Sequence, residues 1–209
     1  MKNLMAVTAC LKRCSIAISY ENKFYEINEN VDASANLVHL AHNLAQSKDI
    51  DLKKISGVIT ASGPGSFTGI RVAQSFAKGL AMSLKIPSTS VSYFEVIKNI
   101  CREKNIGNNT LVVIGSEKGQ LYYETNDNNF HKIGISAPDA LGRLLSDKFF
   151  LVGDSVDEVV HHWRDRIIGV CRIDDFRNAK HLLNFAEALG EKSRISPLYI
   201  NAQSNCRYV

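Results

Sequence analysis

The chain has no apolar segment long enough to serve as a membrane span or a secretion signal. A transmembrane helix needs about 20 apolar residues, and no stretch of the 209 residues approaches that length. Near the N-terminus, Lys12 and Arg13 interrupt the apolar run before it is long enough for a signal peptide. These absences predict a cytoplasmic protein that does not associate with membranes.

Cysteine and histidine are present but form no recognisable site. The five cysteines are odd in number and scattered, with no C-x-x-C pair, so neither a disulfide framework nor a structural zinc site is predicted. His39 and His42 lie three residues apart on a predicted helix, but no carboxylate completes a set of ligands. Because no Ser/His/Asp or Cys/His combination stands out either, the sequence predicts no catalytic site and no metal site.

Net charge is low for the whole chain but uneven along it. The formal net charge is +4, and residues 1–104 carry 13 Lys and Arg against 8 Asp and Glu. A basic surplus can attract a nucleic acid, yet the sequence has no run of Lys or Arg and no basic stripe interleaved with aromatics. A solvated surface is the favoured interpretation, and contact with RNA is the alternative.

The spacing of apolar residues predicts an α/β protein. Three short strands open the chain, an amphipathic helix follows over 34–47, and a buried strand over 55–62 leads into a glycine-rich turn and a second helix. A shorter version of this order follows, with a hairpin turning at Lys118, and a helix is predicted near the C-terminus. Because the polar stretch 103–109 lacks apolar periodicity, we predict two related lobes, residues 1–104 and 105–209.

The turn GPGSFTG, residues 63–69, has the composition of a phosphate-binding loop but not its spacing. A P-loop requires Lys and then Ser or Thr after its last glycine, whereas Ile and Arg follow here. A dinucleotide-binding turn requires glycine at Thr68, and a serine nucleophile elbow requires serine at Phe67. The turn therefore indicates neither a nucleotide site nor a nucleophile, and Ser66 is interpreted as a helix cap.

The helix that follows the turn is apolar over most of its circumference. Its polar stripe is narrow and consists of Arg71, Ser75, Lys78 and Lys85. Such a helix requires cover on two sides, and its small residues permit close approach by another helix. One cover is the helix's own sheet. The second is either the preceding helix or a partner protein, and the sequence leaves both open.

The run GPGSFTGIR, followed by AKGLA at 77–81, closely resembles the bacterial TsaB family, also called YeaZ. The resemblance extends along the whole chain, at Ser34, Leu37, Tyr122, Gly153, Asp154, Pro197 and Tyr199. It implies the two-lobed α/β fold of the actin, heat-shock protein and sugar kinase (ASKHA) superfamily, with two βββαβα lobes of which the second is reduced.

The resemblance implies a subunit without catalysis of its own. Family members pair with a larger homologue, TsaD, which holds the metal and transfers a threonylcarbamoyl group to the adenosine beside the anticodon of certain tRNAs, and a small ATPase, TsaE, joins them. The chain would then bind no cofactor alone, although a nucleotide could lie at an interface shared with TsaD, and it would meet tRNA only through the complex. A homodimer of the isolated chain, and an independent ATPase or glycoprotease-like metallopeptidase of the same fold, are the alternatives.

The resemblance also implies a binding face for TsaD, formed where the first two helices join the equivalent pair of the partner in a bundle. Pro64 would fix the turn, Ser66 would cap the second helix, and Arg71 would reach a carboxylate of the partner. The residues assigned to this face are Leu37, His39, Gly63, Pro64, Gly65, Ser66, Phe67, Thr68, Gly69, Arg71, Phe76 and Ala77.

The chain departs from the family pattern at the end of its first strand. The family has an Asp-Thr-Ser turn there, the remnant of a phosphate loop, and the matching residues are Thr8, Ala9 and Cys10. Without that carboxylate, the chain lacks the group best suited to hold magnesium or orient water, which argues against ATP hydrolysis. The second lobe departs as well, with Gly115, Ser116 and Glu117 in place of Asp-Ala-Arg and Asn201 in place of Arg.

Overall fold

The computed structural model describes residues 2–10, 13–30, 33–107, 109–116, 119–127, 130–145, 147–190, 194–200 and 207–208. Contacts divide the chain into two compact units. The first unit consists of Met1–Tyr93 and Arg177–Pro197, and the second of Phe94–Phe176 and Leu198–Val209.

The first unit is built on a five-stranded mixed sheet of order β3-β2-β1-β4-β5. Its first three strands pair antiparallel, and β1, β4 and β5 pair parallel. The elements are β1 (Leu4–Cys10), β2 (Arg13–Tyr20), β3 (Lys23–Glu29), α1 (Ala33–Ser47), β4 (Gly57–Gly63), α2 (Phe67–Leu84) and β5 (Ser88–Ser92), with a 3-10 turn at Leu52–Lys54.

The two faces of this sheet meet different parts of the chain. Because side chains alternate along a strand, Met5, Val7, Ile16 and Ile18 share one face, and they form a buried core with α1 and α2. The opposite face is covered by a 3-10 segment, Ala179–Ala188. There the backbone N–H of Ala179 donates to the hydroxyl oxygen of Ser15 at 2.7 Å.

The second unit repeats this plan with shorter helices. Its sheet has the order β10-β9-β6-β7-β8 and a core centred on β6, β7 and β9. The elements are α3 (Tyr93–Glu103), β6 (Thr110–Gly115), β7 (Leu121–Asp127), β8 (Phe130–Ser136), α4 (Pro138–Leu141), β9 (Phe149–Gly153), α5 (Val156–Trp163) and β10 (Ile167–Arg172), followed by the short pair β11 (Leu198–Tyr199) and β12 (Arg207–Tyr208). The structure confirms the predicted pair of βββαβα units and the reduced second one, since α4 and α5 have 4 and 8 residues against 15 and 18 in α1 and α2.

The division of the chain differs from the one that the sequence suggests. The sequence places a single boundary after residue 104, whereas the contacts divide the chain after Tyr93 and return Arg177–Pro197 to the first unit. That segment joins the first unit because it covers the second face of the β1–β2–β4 sheet. It also forms 3-10 turns rather than the predicted α-helix, with a non-helical backbone at Phe185. Lys118, the predicted hairpin turn, lies outside the described residues, as do Glu117 and Asn201.

A buried ionic cluster joins α3 to the sheet of the second unit. Glu124 of β7 is 1% exposed, and its Oε1 atom lies 2.8 Å from Lys98 Nζ and 2.7 Å from His131 Nε2. Burial alone would lower the pKa of Lys98, but hydrogen bonds to Glu124 and Glu95 outweigh it, so the pKa is raised and the ammonium stays charged. Among the described residues, no hydrogen-bond partner reaches the buried Oε2 atom of Glu124.

Candidate partner-binding face

The glycines of the turn serve close packing between α2 and the end of β1. A Cβ atom at Gly69 would lie 2.6 Å from the carbonyl oxygen of Ala9, and one at Gly65 would collide with the sulfur of Cys10. Gly63 has a φ of 114°, a backbone conformation that side chains disfavour. The turn thus brings the start of α2 directly against the strand end.

Ser66 caps α2, as the sequence predicts. Its hydroxyl oxygen accepts a hydrogen bond from the backbone N–H of Gly69 at 3.4 Å, and its carbonyl accepts one from Ile70 at 3.0 Å. A side-chain oxygen at this position satisfies one of the four N–H groups that the first turn of a helix leaves without a partner. The cap fixes the residue at which α2 begins.

The second cover of α2 is the preceding helix. Ile70, Ala73 and Ala77 are buried, and the half-buried Val72, Phe76, Leu80 and Leu84 pack against the core cluster that contains Leu37, Leu40, Ala41 and Leu44 of α1. The sequence left this question open between α1 and a partner protein. The structure places α1 beside α2 along its apolar flank.

Several residues assigned to the partner face therefore belong to the interior. Ala77 is 0% exposed and Leu37 2%, and Gly63, Pro64 and Gly69 are also buried. In the folded first unit these residues are therefore shielded by the chain's own sheet and helices. Helical periodicity placed Ala73 and Ala77 on one side of α2, but it did not reveal which side of the helix faces the sheet and which faces a partner.

The exposed residues of the adjacent helices α1 and α2 are together called the α1–α2 outer face. On α2 it consists of Phe67, Thr68, Arg71, Ser75, Lys78, Gly79 and Met82, and on α1 of Val38, His39, His42, Asn43 and Gln46. Phe67 and Met82 are 54% and 79% exposed, and Val38 is 65% exposed. Of the residues assigned from the sequence, Phe67, Thr68, Arg71 and His39 lie on this face, while Val38, Gly79 and Met82 were not assigned.

The α1–α2 outer face combines neutral polar side chains with exposed apolar and cationic ones. The guanidinium of Arg71 lies over the ring of Phe67, with its carbon 3.9 Å from the ring centroid. This stacking holds the Arg71 side chain against the helix surface. Neither α1 nor α2 contains an Asp or a Glu, whereas α2 contributes Arg71 and Lys78, and Lys85 follows at its C-terminal cap. The missing acidic residues were a signal in the sequence that could have marked this face.

A recess lies at the C-terminal end of this face. It has a volume of about 370 Å³ and is lined by Lys78, Met82, Lys85 and Pro87, among others. At Gly79, which lies on the same face, an added Cβ atom would meet no other atom within 4 Å. The face therefore offers apolar contact and a shallow hollow with a positive rim, which suits a partner helix that carries acidic side chains.

The end of β1, where the family resemblance places a former phosphate loop, is occupied by internal contacts. The hydroxyl of Thr8 donates to the carbonyl oxygen of Arg177 at 2.7 Å, and Tyr93 is fully buried, which raises the pKa of its phenol.

In the second unit, burial raises the pKa of the Cys101 thiol to about 11. The described ranges contain no group of three or more His, Cys, Asp or Glu that could hold a metal. No helix in the described part of the chain is long and apolar enough to cross a membrane.

Comparison with known proteins relates the chain to a family of tRNA-modification proteins. The family model described as TsaD, tRNA N6-adenosine threonylcarbamoyltransferase, matches residues 31–153. The chain is 25% identical over 220 residues to the tRNA threonylcarbamoyladenosine biosynthesis protein TsaB of Buchnera aphidicola subsp. Baizongia pistaciae, which covers 96% of this chain and 99% of that protein.

Solved structures share the fold. A Pseudomonas aeruginosa protein described as similar to the peptidase YEAZ superposes with a TM-score of 0.74 and 21% identity, covering 96% of this chain and all of that one. A Bacteroides thetaiotaomicron protein with an actin-like ATPase fold and unknown function gives a TM-score of 0.50 and 11% identity, covering 88% and 95%. These similarities confirm the predicted ASKHA-type fold.

Proposed function

The chain belongs to the family of the TsaD model, in its TsaB/YeaZ branch, and from that premise we propose that it is a non-catalytic subunit that binds TsaD. In this role it holds TsaD competent for threonylcarbamoyl transfer to the adenosine beside the tRNA anticodon, together with TsaE. The same role would include a nucleotide at the interface shared with TsaD and access to the substrate tRNA through the complex.

The observation that carries this proposal is the α1–α2 outer face. It exposes Phe67, Met82 and Val38 on two adjacent helices, and it lacks acidic residues. Exposed large apolar side chains on adjacent helices are a feature of protein interaction sites, and Met and aromatic residues are enriched in such interfaces. A partner face with apolar side chains and carboxylates would complement it, with Arg71 and Lys78 as the charged contacts.

The proposal is tested by replacing outward residues and leaving the core intact. Ala77→Glu is unsuitable because it would place a carboxylate in the interior, where it would unfold the first unit whatever the partner does. Met82→Glu and Lys78→Glu change exposed side chains of α2. Their matched controls are Ile168→Glu, at a side chain that is 56% exposed in the second unit, and Lys53→Glu, at an exposed lysine outside the face.

The measurements are co-elution with the cognate TsaD and threonylcarbamoyl transfer to tRNA in a reaction reconstituted with TsaD and TsaE. We expect Met82→Glu and Lys78→Glu to weaken co-elution and to lower transfer by about tenfold, because each places a carboxylate where the proposed partner face is acidic. The two controls should behave as the unchanged chain. If transfer proceeds equally without the chain, or if all four variants bind and work normally, the proposal is wrong.

The same variants distinguish binding to TsaD from self-association of the chain. Sedimentation of the isolated chain and of Met82→Glu shows whether the α1–α2 outer face also joins two copies. A variant that loses self-association and keeps full transfer activity would assign this face to a homodimer and would overturn the proposed contact with TsaD.

A further inference from the structure

A lysine-rimmed pocket lies on the first unit, on the sheet face opposite α1 and α2. Strand register places Leu4, Ser19 and Phe24 side by side across β1, β2 and β3, because Ser19 pairs with both of the others. The 3-10 segment Ala179–Ala188 covers the neighbouring part of this face and forms the pocket wall with Leu183 and Asn184. The cavity has a volume of about 420 Å³, which falls within the range of small-molecule sites, about 300–1,000 Å³.

The rim of this pocket is positively charged. Lys2, Lys23 and Lys180 line it, and none of its lining residues is acidic. Two carboxylates lie near the rim without lining the pocket: Glu21 pairs with Lys54 at 3.3 Å, and Glu26 accepts a hydrogen bond from the backbone N–H of the lining residue Lys180 at 3.2 Å. The pocket therefore favours an anion.

The floor and walls add an aromatic and amide character. The ring of Phe24 is 53% exposed at the edge strand β3, and Leu4 and Leu183 supply apolar contact beside it. Asn22 and Asn184 can each donate and accept hydrogen bonds. An exposed ring that can stack on a flat base, amides that can pair with its edge, and ammonium groups that can meet a phosphate are the features of single-nucleotide recognition.

We propose that this pocket binds a phosphorylated nucleoside, either free or as an unpaired nucleotide of an RNA. The base stacks on Phe24, and the phosphate lies among Lys2, Lys23 and Lys180. The site is separate from the α1–α2 outer face, because it lies on the other face of the sheet and at the opposite end of β1 from the glycine turn. It therefore does not depend on the proposed binding of TsaD.

The test uses the full chain without any partner protein. One arm measures AMP binding by calorimetry, and the other measures fluorescence anisotropy of a labelled, unstructured RNA of about ten nucleotides. The variants are Phe24→Ala, which removes the stacking ring, and Lys23→Gln, which removes one rim charge. Lys53→Gln, an exposed lysine outside the pocket, is the matched control. Circular dichroism and urea unfolding verify that each variant is folded.

We expect Phe24→Ala to weaken binding on the order of tenfold, as for loss of one stacked base. Lys23→Gln should weaken binding and, in the RNA arm, reduce the slope of log affinity against log salt by about 0.7, while Lys53→Gln leaves both unchanged. Binding of AMP alone assigns a soluble nucleotide, and binding of RNA assigns an unpaired RNA nucleotide.

Three results would overturn the proposal. The first is that neither probe binds at millimolar concentration. The second is that Lys53→Gln weakens binding as much as Lys23→Gln, which would mean unspecific attraction to a basic surface. The third is that an oligoglutamate peptide or inorganic phosphate competes fully while Phe24→Ala has no effect, which would leave no role for a base. None of these results bears on whether the chain binds TsaD.

Discussion

At the scale of single residues, Glu124 shows how a charge is kept inside the second unit. Its carboxylate is almost fully removed from water and depends on Lys98, which is 19% exposed, and on His131 at the surface. A buried ion pair adds little net stability, but the loss of one partner leaves the other charge unpaired in the interior. Glu124 therefore makes Lys98 necessary for the folded state.

We predict that Lys98→Met destabilises the chain by about 3–5 kcal/mol, because the buried carboxylate loses its main partner. The double variant Lys98→Met/Glu124→Leu should recover most of this loss, since an apolar pair of similar volume replaces the ionic one. Urea unfolding measures both. Lys54→Met is the control, because it breaks only an exposed, solvent-screened pair with Glu21 and should change stability far less than Lys98→Met. Equal losses in the Lys98 and Lys54 variants would contradict the prediction.

At the scale of elements, helix α2 depends on contact with β1. Gly69 lies against the carbonyl of Ala9, whereas Gly79, ten residues later in the same helix, has open space around it. The two glycines look alike in the sequence but have different physical reasons to be there. Gly69 permits the approach of two backbones, whereas Gly79 has space for a side chain.

We predict opposite effects for alanine at these two positions. Gly69→Ala should destabilise the chain by about 1–3 kcal/mol, because the added Cβ meets a backbone oxygen that cannot move aside. Gly79→Ala should stabilise it by about 0.5–1 kcal/mol, because alanine loses less conformational entropy in a helix. Urea or thermal unfolding of the two variants measures the difference. A Gly69→Ala variant as stable as the unchanged chain would show that α2 does not press against β1.

At the scale of the whole molecule, the first unit is completed by a segment from late in the chain. Arg177–Pro197 covers the sheet face that carries Ala6, Thr8 and Ala17. It satisfies the hydroxyls of Thr8 and Ser15 through backbone hydrogen bonds. A first unit cut out as a continuous stretch would expose this face to water.

We predict that a fragment of residues 1–104 does not fold cooperatively. Residues 1–93 joined through a short flexible linker to 177–197 should fold, because this chain restores the cover over β1, β2 and β4. Urea unfolding followed by circular dichroism, with hydrogen exchange at the amides of β1, distinguishes the two fragments. Equal protection of β1 in both would show that the late segment is dispensable.

The sequence by itself determined the local features of this protein. The order of strands and helices, the cap at Ser66 and the family all follow from residues that are close along the chain, because periodicity and capping depend on neighbours within a few positions. The nine-residue run GPGSFTGIR, which begins with this turn, carries much of the family resemblance.

Tertiary structure decided which surfaces these elements show. It turned Ala77 inward and Met82 outward, assigned Arg177–Pro197 to the first unit, and brought Leu4, Phe24 and Lys180 to one pocket. Periodicity gives the angle between side chains of one helix but not the direction in which the helix faces. That direction, and every contact between residues far apart in the chain, is set by the packing of all elements together.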